Sequence, residues 1–142
     1  MAGILTRAAD ILKSNVNALL DKAEDPAKMI DQLLREARSN LAQVKQESAS
    51  VIAQETAAHR ALMKEREDVT RLTQAAKAAL RAGNEGDALK LAEQIAKEEA
   101  EVVQAEKVYE MCHANAENMR AVYRKLVADV QALEGKRANL KA

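Results

Sequence analysis

The sequence contains no phenylalanine, no tryptophan and only two tyrosines, Tyr109 and Tyr123. A globular core of this size ordinarily draws its bulk from several aromatics, so their scarcity argues against one. A single proline, Pro26, and four glycines leave few places where a helix must stop. The single cysteine, Cys112, cannot form an internal disulfide and fits a reducing compartment. No run of about 18 apolar residues is present, so no transmembrane helix is expected. The N-terminus also lacks the charged region and cleavage pattern of a secretory signal. The glycines, at 3, 83, 86 and 135, form no phosphate-binding loop. His59, Cys112 and His113 have no zinc-like spacing, and Glu98, Glu99 and Glu101 read as a solvated face. No catalytic group, metal or cofactor is therefore expected, and the chain does not read as an enzyme.

What the sequence does hold is helix-forming material. Of its 142 residues, 48% are hydrophobic, with a large share of alanine, and 31% are charged. A chain rich in Ala, Glu, Lys, Leu and Arg has the composition of long helices and coiled coils. Two breaks divide it, Pro26 and the stretch from Ala82 to Asp87. Gly83 suits the left-handed position just past a helix end. Asn84 can cap the next helix, with Asp87 facing the new N-terminus. Helices are thus expected at about 26–82 and 85–140, joined by a turn at 83–87 marked by Gly83, Asn84 and Gly86. At 1.5 Å per residue each would be roughly 85 Å long.

The heptads test that reading. Taking alternately every third and fourth residue, eleven of fourteen positions from Leu34 to Ala79 are apolar, the exceptions being Ser48, Glu55 and Glu65. From Ala88 to Leu133 thirteen of fourteen are apolar, the exception being Glu98. A seven-residue repeat held this long makes a left-handed coiled coil. Folding back at Gly83-Asn84 puts residue n opposite residue 167 − n, which places Leu34 against Leu133 and Leu41 against Leu126. Every seam position then meets a seam position. The expected fold is all-α, a long antiparallel two-helix coiled-coil hairpin over 25–142 preceded by an amphipathic helix over 1–24.

That first helix has a different pattern. Ile4, Leu5, Ala8, Ala9, Ile11, Leu12, Val16, Leu19, Leu20 and Ala23 share one half of the helical wheel. Arg7, Asp10, Lys13, Ser14, Asn17 and Asp21 share the other. The apolar arc is wider than a coiled-coil seam. No matching third stripe is evident on the hairpin. This half is therefore expected to lack an intramolecular partner, and residues 1 to about 22 to be poorly ordered, or differently placed from the rod, in water. Packing on a neighbouring chain and in-plane membrane binding both fit such a face. Glu24, Asp25 and Pro26 form the expected hinge: Pro26 suits the first helical turn, and Asp25 can cap it.

The stretch MAGILTRAADILKSNVNALLDKAEDPAKMIDQLL resembles the N-terminus of the phage shock protein A family. That family includes the vesicle-inducing protein of plastids and belongs to the ESCRT-III superfamily. The resemblance rests on Gly3-Ile4, the run Asn15 to Leu20, and Glu24-Asp25-Pro26. The run AALRAGNEGDALKLA, 78–92, is similar to the family's hairpin tip. Ala2 departs from the pattern, and family members usually continue into further helices used in polymerisation. The chain is accordingly expected to be a fragment holding the hairpin or a short homologue. The resemblance implies a peripheral protein on the inner, cytoplasmic face of the cell membrane, responding to membrane stress. Its first helix would bind anionic or packing-defective lipid through Ile4, Leu5, Ala8, Ile11, Leu12, Val16, Leu19 and Leu20. It further implies self-association into membrane-remodelling polymers, and an alternative role as an adaptor whose coiled coil restrains an AAA+ transcription activator. Nucleic acid is not an expected partner.

The net charge of zero hides segregation. Residues 60–81 carry +3, residues 83–117 carry −6 and residues 118–142 carry +4. Such blocks can keep an antiparallel pair in register, or let hairpins associate side by side.

Overall fold

A computed structural model describes residues 16–141. Three helices make up this part: α1 (Val16–Lys22), α2 (Pro26–Arg81) and α3 (Glu85–Lys141). The protein is all-α, with the two long helices packed antiparallel as a helical hairpin. They contribute to two compact units, a terminal unit comprising Met1–Val51 with Ala116–Ala142, and a turn unit comprising Ile52–Asn115.

The ends of α2 follow from local chemistry. Pro26 occupies the first helical position, where its missing N–H costs nothing. Asp25 is the cap: its carbonyl accepts from the Met29 N–H at 3.1 Å, and its Oδ1 accepts from the Lys28 N–H at 3.2 Å. At the other end Gly83 adopts φ +76°. The Gly83 N–H donates to the Leu80 carbonyl at 3.1 Å, and the Asn84 N–H to the Ala79 carbonyl at 2.8 Å. Those two bonds are the Schellman closure, which satisfies carbonyls that a helix end leaves without partners. Asn84 then opens α3, its carbonyl accepting from the Ala88 N–H at 3.2 Å. The Asn84 side chain does not reach for the helix N-terminus directly; its Nδ2 donates to Asp87 Oδ2 at 2.6 Å. Gly86, expected in the turn, is the second residue of α3.

Within each unit the seam is the one the heptads mark. Of the 28 seam positions between Leu34 and Leu133, each is buried or half-buried and not one is exposed. In the terminal unit Val44 and Leu126 are fully buried together, with Leu41, Val122 and Tyr123 packed against them. Flanking ion pairs mark the register: Arg38 to Glu134 at 3.0 Å there, and Arg66 to Glu106 at 3.0 Å in the turn unit. Both pairs are well exposed, so they align the helices more than they stabilise them. In the turn unit His113 Nδ1 lies 2.6 Å from Glu55 Oε2, and Tyr109 stacks on His113 with ring centroids 5.7 Å apart and meets His59 at a tilt, 5.4 Å away. The seam defect at Glu55 thereby finds a partner across the helices.

Candidate membrane-binding segment and hinge

Of the eight residues expected to face lipid, Ile4, Leu5, Ala8, Ile11 and Leu12 lie outside the described residues. Val16, Leu19 and Leu20 fall on α1. They do not share one environment. Leu20 is buried, in a cluster with Ile30, Leu34 and Ala37 of α2 and Val130 and Leu133 of α3. Val16, one turn earlier on the same face, packs against that cluster. Leu19 points away and is 41% exposed.

This corrects the expectation that the segment finds no partner in its own chain and is poorly ordered, or placed apart from the rod, to about residue 22. For residues 16–22 the segment is helical and docked. The receiving surface was missed because the heptad reading follows a two-position seam. Met29 and Leu33 flank that seam at the start of α2, and both pack against the cluster. With Ile30 and Leu34 they widen the apolar stripe enough to hold a third helix. The signal was in the sequence, in the spacing of Met29, Ile30, Leu33 and Leu34.

Glu24, Asp25 and Pro26, the residues expected to form a hinge, stand at the junction of the two elements. α1 closes with the Ala23 N–H donating to the Leu20 carbonyl at 3.3 Å, a tightened last turn. Glu24 and Asp25 are exposed and belong to neither helix. Every capping bond made by Asp25 runs into α2, so the start of the long helix does not depend on where α1 sits.

The end of the terminal unit is basic. Asp31 Oδ1 accepts from Arg137 Nε at 2.6 Å, and Oδ2 from Lys141 Nζ at 2.9 Å. The hydrogen bonds from Lys141 and Arg137 hold the Asp31 carboxyl below its ordinary range. Lys28, Asp31, Leu34, Arg35, Arg38 and Arg137 line an open cleft of about 400 Å³, four of the six being cationic. Asp129, by contrast, is pushed up by burial despite nearby Lys125, and its Oδ2 has no hydrogen-bond partner. In the turn unit the carboxylates of Glu65, Asp68 and Glu98 lie within 4.8 Å of one another, all half-buried. The close Glu65 carboxyl, followed by burial and the charges of Glu65, Asp68 and Glu101, pushes Glu98 up, and its Oε2 has no hydrogen-bond partner. Among the described residues, no helix is long and apolar enough to cross a membrane.

Comparison with known proteins covers nearly the whole chain. The family profile described as PspA/IM30 matches residues 3–142. The phage shock protein A homolog of Bacillus subtilis is 41% identical over 139 residues, which are 98% of this chain and 61% of that protein. The phage shock protein A homolog of Deinococcus radiodurans is 49% identical over 51 residues, 36% of this chain and 23% of that protein. The membrane-associated protein Vipp1 of Nostoc punctiforme is 31% identical over 83 residues, 58% of this chain and 32% of that protein. The matched regions thus span less than two thirds of the length of each of these relatives.

Proposed function

Because the chain belongs to the PspA/IM30 family, we propose that it is a peripheral membrane-binding protein of membrane stress and remodelling, acting by insertion of its N-terminal helix and assembly of its hairpin. The family's proteins are structural and regulatory rather than enzymatic. The observation that carries the reading is the 41% identity to the Bacillus phage shock protein A homolog over 98% of the chain. A relative named as membrane-associated supports the same site of action. Seven large aliphatics in the first 20 residues, Ile4, Leu5, Ile11, Leu12, Val16, Leu19 and Leu20, are enough apolar surface to hold a helix in the plane of a bilayer. Lys28 and Arg35, which line the cleft beside the ion-paired Arg38 and Arg137, support a preference for anionic lipid. Glu24, Asp25 and Pro26 serve as the hinge that lets the inserted helix and the hairpin take different directions.

Co-sedimentation with anionic vesicles, with and without residues 1–24, tests this. The full chain is expected to pellet with vesicles and the truncated chain to remain in solution. Leu12→Glu should abolish binding with hairpin helicity unchanged by circular dichroism. Equal binding by all three proteins would refute insertion through this segment.

A second role as an adaptor that docks on an AAA+ transcription activator is favoured by one feature. Val103, Val108 and Met111 of α3 are about half exposed or more, an apolar presence the seam does not use. Replacing them with Ser should relieve restraint of such an activator's ATPase while vesicle binding is unaffected. An unchanged ATPase would remove this role from that face.

A further inference from the structure

We propose that the contact between α1 and the long helices is a latch: Val16 and Leu20 are held by the hairpin's own apolar cluster, and the segment must let go of that cluster before these residues can face a bilayer. The inference rests on the membrane reading above and adds its regulation. A side chain can be buried in only one place. Leu20 is 9% exposed against Ile30, Leu34, Ala37, Val130 and Leu133, so it has almost no surface left to offer lipid while docked. Leu19 alone of the three described aliphatics is presented outward.

Two structural features make release feasible. The described part of α1 is amphipathic, and such a helix takes most of its stability from packing of its apolar face rather than from intrinsic propensity. Its helicity and its docking therefore stand or fall together. The link at Ala23–Asp25 is tied back to α1 by a single backbone bond, from Ala23 to Leu20. The Asp25 cap remains with α2 when that bond breaks. Undocking thus frees the segment without unwinding the long helix.

A latch has a signature that a merely structural contact lacks. When only the released fraction can bind, apparent affinity is the intrinsic affinity reduced by that fraction. Weakening the receiving surface, on residues that never touch lipid, should then tighten vesicle binding. Met29 and Leu33 suit this test, being half-buried against the cluster and outside the coiled-coil seam. Met29→Gln with Leu33→Gln in the full chain is expected to bind phosphatidylglycerol–phosphatidylethanolamine vesicles roughly fivefold or more tighter than the unsubstituted protein.

A distance measurement covers the case in which those substitutions disturb folding. Spin labels at Leu19→Cys and Ala138→Cys, both exposed positions, in a Cys112→Ala background should report one narrow distance in water. On saturating vesicles that distance should give way to a longer, broader distribution. An unchanged distance on vesicles that do bind the protein overturns the latch and leaves the membrane reading standing. So does equal or weaker binding by a folded Met29→Gln, Leu33→Gln protein. Binding by the double variant alone would mean a latch closed in nearly every molecule. Binding by neither protein overturns the membrane reading and the latch with it.

Discussion

Glu65 and Glu98, on opposite long helices of the turn unit, bring their carboxylates within 4.8 Å of each other, and Asp68 brings a third to the same distance. The close Glu65 carboxyl, with burial and the neighbouring negative charges, pushes Glu98 up from its ordinary 4.5. A raised carboxyl means that the folded state binds a proton the unfolded chain has already lost. Its contribution to stability is complete below the unfolded value and is lost as pH rises through the folded one. Hydrogen exchange of the turn unit across about pH 4 to 8 should therefore show protection weakening as pH rises. Glu98→Gln removes the charge, and should flatten that profile and raise protection at neutral pH. A profile with the opposite slope, or one that Glu98→Gln does not change, would show that Glu98 is not held above its ordinary range.

The turn separates two glycines that look alike in the sequence. Gly83 sits at φ +76°, where a side chain is strained whatever the space around it. Gly83→Ala should cost about 1–2 kcal/mol, although a Cβ there meets nothing within 4 Å. Gly86 lies in the first turn of α3 with the same open surroundings and ordinary φ. Gly86→Ala should be neutral or stabilise by up to about 1 kcal/mol. Denaturant midpoints of the two single variants decide between these signs.

Burial, not residue type, should rank the leucines. Leu126 is 0% exposed between Val44 and its neighbours, so Leu126→Ala should destabilise by about 2–5 kcal/mol. Leu89 is 68% exposed, and Leu89→Ala should move stability by less than about 0.5 kcal/mol. Chemical denaturation followed by helix signal measures both. Similar losses at the two sites would mean that Leu89 is covered in solution, as it would be by a second copy.

Self-association, where it occurs through the segregated charge blocks, should weaken with salt. Exposed charges are screened over about 8–10 Å near physiological ionic strength. Sedimentation at low and high salt should show smaller species at high salt. Assemblies indifferent to salt would point to apolar surface, such as Leu80, Leu89, Val103 and Met111, as the adhesive instead.

The sequence by itself determined the hairpin. A heptad held over 28 positions asks for a coiled-coil partner, the two halves match in length and register, Pro26 can open a helix but not continue one, and Gly83 takes the left-handed φ that closes the first long helix. Local rules also placed the Asp25 cap, because a cap involves only residues three apart. The partners of Glu98 and Asp31 were not legible: they depend on which carboxylates and cations the register brings opposite, and that is decided to within one residue only when the helices pack. The docking of Leu20 was only half legible: the widened stripe of Met29, Ile30, Leu33 and Leu34 can be read from spacing, but the full receiving surface was decided by tertiary structure. An amphipathic face specifies that it must be covered but not by what; a surface made by Ile30 and Leu34 on one helix and Val130 and Leu133 on another exists only after two segments about a hundred residues apart have come together.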